Sequence, residues 1–480
     1  MTSNTRFTRL LAGLGLAAGL LGLQLQAHAA ATIVINNVNV AGVGFNDQTP
    51  ATPVGGNAGT TLGQQRLIAF THAANIWGAT LTSNQPIVIN AQFSALTCTS
   101  SSATLGSAGA TSIFRNFTNA PKSNTWYSYA LANKLAGSYL GTANAAQISA
   151  NFNVNLGNTG CLDGTYWYLG LDGNHGANVD FVVTLLHEMA HGLGFQTFTS
   201  GSTGIYSSSY PSVWDHFLTG TTTGLTWTNM TAAQRKASAI SVDGLVWAGP
   251  LVTASVPSVL RQGSAGFAVS GTAATTAAGT YTTVGEASFG APISSTPVSG
   301  QVMPAINADG SLHLACDALT GTNATAVKGN IALIARGTCS FVIKVKNAQN
   351  AGAIGVLIAN SSTAAPAGMS GTDATVTIPS LLIEQTTGAT LLSNLSKRTR
   401  TASGVIATLS LFGTKYAGAD SLNRMKMYAP ATFTSGSSVS HYDTSAYRNM
   451  LMEPSINSDL THNVIPPYDL TFLLLQDIGW

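Results

Sequence analysis

Residues 187–191 read His187-Glu188-Met189-Ala190-His191, inside a run from Val182 to Phe195 whose other members are apolar residues, Thr184 and two glycines. No other stretch constrains the fold as tightly. A helix turns once in about 3.6 residues, so His187 and His191 share one face, one turn apart. Two imidazoles placed this way can grip one metal ion, with Glu188 beside it as a general base rather than a ligand. The bland alternative is a buried helix with an incidental histidine pair. A catalytic zinc takes three protein ligands and keeps one position open for water. The fold must therefore bring one more ligand to this helix.

The chain opens with Arg6 and Arg9, an apolar run from Leu10 to about Leu25, and then Ala27-His28-Ala29. A charged start, an apolar middle and a small-x-small site read as a signal peptide cut after Ala29. The run is short for a membrane span of ~20 residues, and no later stretch is long and apolar enough for one. The expected mature protein is soluble and exported, outside the cell or in the periplasm. Charged residues make up 8% of the chain and the formal net charge is +2. That balance gives no field for nucleic acid or an anionic membrane, and Lys397-Arg398-Thr399-Arg400 reads as a solvated turn. The four cysteines, Cys98, Cys161, Cys316 and Cys339, suit disulfides in an exported chain. Two local bridges, Cys98–Cys161 and Cys316–Cys339, are the simplest of three pairings. The sequence is silent on oligomeric state.

Thr32 to Asn36 reads as a first strand. Gln64 to about Leu81 has helical spacing, with Leu67, Phe70, Ala73, Ala74 and Trp77 on one face. Pro86 to Phe93 alternates as a strand, and Thr125 to Ala136 reads as a second helix. The metal motif lies on a helix from about Asp180 to His191. Asp180 suits its N-terminal end, and Gly192 and Gly194 end it. The expected class is α+β, a mixed sheet with helices. Pro466-Pro467 breaks the chain before a last helix that Asp469 can cap and that runs to Trp480.

Residues from about 251 to 415 differ in character, with few charges and short strands between Gly/Ser/Thr turns. Gly329 to Phe341 contains Arg336-Gly337-Thr338-Cys339-Ser340-Phe341. Lys344, Asn347-Ala348-Gln349 and Ala351-Gly352-Ala353 follow. This stretch closely resembles the protease-associated (PA) domain, over roughly residues 265 to 413 and most weakly before Val302. The resemblance implies a small β-rich fold inserted in, or beside, a protease. Its usual role there is ligand contact or access control rather than chemistry. The expected division is 30–250 and 416–480 as one unit, interrupted by this insert.

The third ligand can be sought by elimination. A thermolysin-like site needs a glutamate on a following helix. The chain has four glutamates, Glu188, Glu286, Glu384 and Glu453, and none lies between the first two. The compact metzincin motif needs a histidine six residues after His191, where Thr197 stands. Ser440-His441-Tyr442, followed by Leu451-Met452, resembles the delayed third histidine and Met-turn of leishmanolysin-type metzincins. Tyr442-Asp443 departs from the Trp-rich segment expected there. The resemblance implies zinc held by His187, His191 and His441, with Met452 in the Met-turn under the metal. Asp215 or His216, in Trp214-Asp215-His216-Phe217-Leu218, is the rival third ligand. Asp215 reads otherwise as a supporting or capping carboxylate.

Of the remaining histidines, His175 lies in a loop that could touch substrate but reads better as a surface turn. His72 reads as structural, and His313 and His462 carry no role. Calcium near Asp163 or Asp172 has no supporting spacing. The expected function is a secreted zinc endopeptidase acting on proteins or peptides, with Glu188 as general base. Two alternatives are a binding or adhesion protein with a non-catalytic metal site, and a hydrolase of non-peptide amides.

Overall fold

The computed structural model describes residues 30–480. The signal peptide expected over residues 1–29 lies outside the described residues. The first sheet has the order β1-β2-β4-β3, built from Ile33–Asn37 (β1), Ile87–Ser94 (β2), Gly106–Ala110 (β3) and Ile148–Asn153 (β4). β1, β2 and β4 run parallel, with Ile33 opposite Ile87 and Ile89 opposite Ile148. β3 is antiparallel to β4, with Ala108 opposite Ala150. β3 therefore forms an edge.

Helix α1, Leu62–Thr80, crosses from β1 to β2; the Thr61 side chain accepts the Gln64 amide at its start. Its buried face is Arg66, Ala69, Phe70, Ala73, Ala74 and Trp77. Leu67, expected on that face, is 39% exposed instead. The buried stripe runs through Arg66, whose guanidinium bonds the Gly44 carbonyl and Asp47, and that rotation carries Leu67 to the rim. Alanines let α1 lie close to α3, Phe181–Leu193, where the Trp77 indole donates to the Leu186 carbonyl at 3.1 Å. Phe70, Phe93, Phe152 and Phe181 pack between helices and sheet with ring centroids 5.2 to 5.8 Å apart. Helix α2 covers Tyr129–Ala136, four residues later than Thr125, because Tyr127–Ser128 first pairs with Ile113–Phe114. The last helix, Thr471–Ile478, closes this unit, and the Trp480 indole donates to the Leu193 carbonyl at the end of α3.

The helix Pro250–Val259 also belongs to this core through Val252, Val256 and Leu260. Asp477 of the last helix accepts the Leu251 amide at its start. The insert, drawn from 251 on composition, therefore takes its first packed residues only after Arg261. Sparse charge marks the helix as much as the insert, so composition cannot separate them. Gln262–Ser270 and Ile406–Tyr416 lead the chain into and out of a second sheet of eight strands. Its centre is parallel: Val298–Pro304, Ile331–Ala335, Gly355–Ala359 and Ser380–Ile383. Separate apolar clusters pack around this sheet, one with Leu333, Leu357 and Leu381, the other with Ile334, Ile358 and Leu382. At the junction the Arg261 guanidinium binds both Glu286 carboxylate oxygens, at 2.8 and 2.6 Å, and stacks on Tyr447 at 3.6 Å. Both expected disulfides are formed, Cys98–Cys161 and Cys316–Cys339. No helix among the described residues is long and apolar enough to cross a membrane.

Candidate metal centre

Asp180 is the N-cap of α3 and accepts the Val182 and Val183 amides at 2.9 and 3.2 Å. This satisfies two of the helix's unpaired donors and fixes where its first turn begins. Two turns later His187 and His191 project from the same face. Gly194 ends the helix at a φ of 126°, in the region glycine tolerates. That turn swings the Phe195 carbonyl back onto His191 Nδ1 at 2.8 Å.

His441 comes from the other side of the insert, 250 residues from His191, and meets the pair. The three Nε2 atoms lie 3.2, 3.2 and 3.3 Å apart. Each Nδ1 faces a backbone carbonyl: Leu451 at 2.7 Å for His187, Phe195 at 2.8 Å for His191, and Ser437 at 2.8 Å for His441. The carbonyls require a proton on each Nδ1, which leaves each Nε2 with a bare lone pair. Burial holds the His187 imidazole down to about 4 and, together with His187, takes His191 down to about 3. Burial and then the two neighbouring rings hold His441 well below the usual range. All three are neutral at pH 7.

The Leu451 carbonyl is itself positioned. Asp469 accepts the Leu451 amide at 2.7 Å and the Thr471 amide at 2.7 Å. Glu453 accepts the Met450 amide, and the Met452 carbonyl accepts the Tyr442 amide. Met452 is fully buried within this turn. In the sequence Asp469 reads only as a helix cap; its link through Leu451 to His187 runs through a backbone carbonyl, which leaves no sequence signal.

Glu188 is 6% exposed, and burial pushes its carboxyl up to about 8, opposed by the Ala108 amide of β3. A Cβ on Gly106 would stand 3.0 Å from the Glu188 side chain, so glycine lets the edge strand approach. An open cleft of 1030 Å³ passes over these groups. Ser102 to Ala108 line one wall, and Ser435 to Ser438 line another part of it.

The rival ligands lie elsewhere. Asp215 is buried and accepts from the Thr197 and Thr199 hydroxyls, at 2.7 and 2.5 Å, and from the Ser212 amide at 2.8 Å. It anchors the Thr197–Thr199 loop that borders the cleft. His216 bonds the Thr125 hydroxyl, with burial, then Lys122, pulling it down to about 4. His462 pairs with the Asp180 carboxylate at 2.9 Å, and its ring meets His72 edge-on at 5.9 Å. His313 accepts the Ala315 amide. Asp163 and Asp172 accept local bonds and join no cluster; among the described residues His187, His191 and His441 form the sole grouping suited to a metal ion.

A PA domain is present: that family matches residues 298–391. No curated protein matches the chain. Among solved structures, a zinc aminopeptidase from Bacillus subtilis is similar at 22% identity, over 35% of this chain and 36% of that one, with a TM-score of 0.22. An aminopeptidase from Aneurinibacillus sp. strain AM-1 is similar at 17% identity, over 42% of each chain, with a TM-score of 0.22. A subtilisin-like protease from the Antarctic Pseudoalteromonas sp. AS-11 has 17% identity, over 32% of this chain and 35% of that one, with a TM-score of 0.22. The chain thus spans well under half the length of these structures. Likenesses of this size carry no weight for the chemistry of the site.

Proposed function

We propose that the chain is an exported zinc-dependent endopeptidase. The observation that carries this reading is the meeting of three bare Nε2 lone pairs, 3.2 to 3.3 Å apart, with every Nδ1 proton already given to a carbonyl. Three buried acceptors facing one another without a proton repel, and a cation between them removes the repulsion. At a Zn–N bond of about 2.0–2.1 Å, tetrahedral ligands sit ~3.3 Å apart, as these nitrogens do. His187, His191 and His441 would hold the metal. No fourth His, Cys, Asp or Glu joins them among the described residues, which favours an open catalytic site over a closed structural one.

When bound, zinc supplies Lewis-acid activation of a water and of the scissile carbonyl. Burial alone keeps the Glu188 carboxyl protonated, and a cation held by the histidines would favour its ionised form. As a carboxylate, Glu188 takes the proton of the attacking water and returns a proton to the leaving amine. Gly106 of β3 lies against Glu188, and the carbonyls of Leu451, Phe195 and Ser437 orient the imidazoles. The free edge of β3 borders the cleft with small residues, Gly106, Ser107 and Ala108, suited to an extended peptide backbone laid alongside. A cleft open along a strand edge favours cleavage within chains. The two disulfides suit an oxidising compartment.

The test combines metal content with digestion of a mixed peptide library, with and without chelator. The expected result is bound zinc and chelator-sensitive cuts at internal bonds. Bound zinc without any hydrolysis would favour the binding protein, and turnover of non-peptide amides alone would favour the amide hydrolase.

A further inference from the structure

A second groove, of 410 Å³, opens where the PA unit meets the first unit. One wall is the loop from His175 to Asn178, and the facing wall is Ser370 to Thr372 of the insert. Val179 and Ile456 line both this groove and the main cleft, so the two adjoin. We propose that the groove is the distal part of the substrate cleft. It takes an extended, uncharged stretch of the same polypeptide whose scissile bond lies at the three histidines, and it confers preference for long chains. The inference rests on the peptidase reading above.

Helix register sets the spacing. Val183 lines the groove and His187 the cleft, one turn apart, which is ~6 Å along the axis or about two extended residues. Both walls are held by their own bonds. His175 spans the carbonyls of Asn178 and Ser458, at 2.8 and 3.3 Å, and ties its loop across to the segment that carries Ile456. On the insert side the Ser288 hydroxyl donates to the Gly371 carbonyl at 3.0 Å, and its amide donates to the Met369 carbonyl at 3.0 Å. No lysine or arginine lines the groove. Its one carboxylate, Asp180, is buried and already accepts from Val182, Val183 and His462. What remains is the His175 imidazole, engaged with its two carbonyls, the Asn178 and Asn457 amides, hydroxyls, and apolar side chains such as Ile456 and Leu460, which suit uncharged residues. The insert that separates the ligands in sequence thus returns as a wall of the path to them.

The experiment uses a fluorogenic peptide with about one residue on each side of the cut, too short to reach the groove, and versions extended at either end by about four residues, or ~14 Å. Binding by the zinc-loaded Glu188→Gln form is measured alongside cleavage. Ser370→Trp and Ala177→Trp fill the groove from opposite, exposed walls. Extension at one end is expected to raise kcat/KM about tenfold, because remote contacts assist the reacting centre. Each tryptophan should abolish that gain and leave the short peptide unchanged, which also shows that the variants fold. The proposal is overturned if neither extension helps, or if the gain survives both substitutions. If the native enzyme cleaves no peptide, the peptidase reading fails. The groove is then judged by binding alone, where the tryptophans must weaken only the long peptide.

Discussion

The two sheets of this protein are surrounded by different kinds of side chain. In the insert, the strands Ile331–Ala335, Gly355–Ala359 and Ser380–Ile383 are almost wholly buried and nearly all apolar. Parallel strands covered on both faces have that pattern. Lys344 is the one buried ionisable side chain among the insert's described residues. Around the four-stranded sheet, by contrast, His187, Glu188, His191, Asp215, His441, Glu453 and Asp469 are all buried. Removing such groups from water costs several kcal/mol each unless they are paired. The difference teaches where to look for chemistry. The insert's core is built for packing, and the groove proposed above lies on its surface. The first unit's core is built around a polar centre.

The comparison breaks most sharply at His441. His441→Ala leaves two ligands, and the expected outcome is loss of zinc and of all turnover above the level of chelated enzyme. Metal analysis and peptide cleavage read both. Asp215→Ala should keep its zinc, and if it lost zinc while His441→Ala retained it, the assigned centre would be wrong. Glu188→Gln comes next. It should keep zinc yet lower kcat about a thousandfold, within the usual range for a general base. Near-native turnover by that variant would remove Glu188 from the mechanism.

A smaller effect is expected one step behind the three histidines. Asp469→Ala removes the acceptor for the Leu451 amide, whose residue offers its carbonyl to His187. Groups that orient metal ligands are worth about 10–100-fold in metal affinity. Competition against a chelator of known affinity should show a loss of that size. Unchanged affinity would mean that the Leu451 turn holds its shape unaided.

These three residues were not equally legible in the sequence. Helix periodicity is local, so the positions of His187, Glu188 and His191 could be read from spacing alone. His441 could be reached only through the pattern Ser-His-Tyr before Leu-Met, because nothing local links residues so far apart. Asp469 was visible as a cap but not as a support, since its partner is a peptide group common to every residue. β3 escaped notice altogether: Gly-Ser-Ala-Gly-Ala has none of the branched or aromatic residues that mark strands. Small residues are needed there because Glu188 lies against Gly106. The loop carrying His175 reads as a surface turn, and only tertiary structure sets it opposite the insert.

The smallest effects lie in pH dependence, where the two units should move in opposite senses. Burial pushes Glu453 up to about 8, against the opposing Met450 amide. The folded form binds the proton more tightly than the unfolded chain. The stabilisation is full below about 4.5 and is lost as pH rises toward 8. In the insert, burial pulls Lys344 down to about 8, with its ammonium donating to the Leu314 carbonyl. There the unfolded chain holds the proton more tightly. Stability should therefore rise between about pH 8 and 10.5. Glu453→Gln should remove one downward contribution to the melting-temperature curve between about pH 4.5 and 8, a window Glu188 shares, and Lys344→Met one upward contribution between about pH 8 and 10.5. Melting curves across both ranges would check the pair. If Lys344→Met left the alkaline slope intact, the buried lysine would not be the group that titrates there, and the insert's core would be uncoupled from pH.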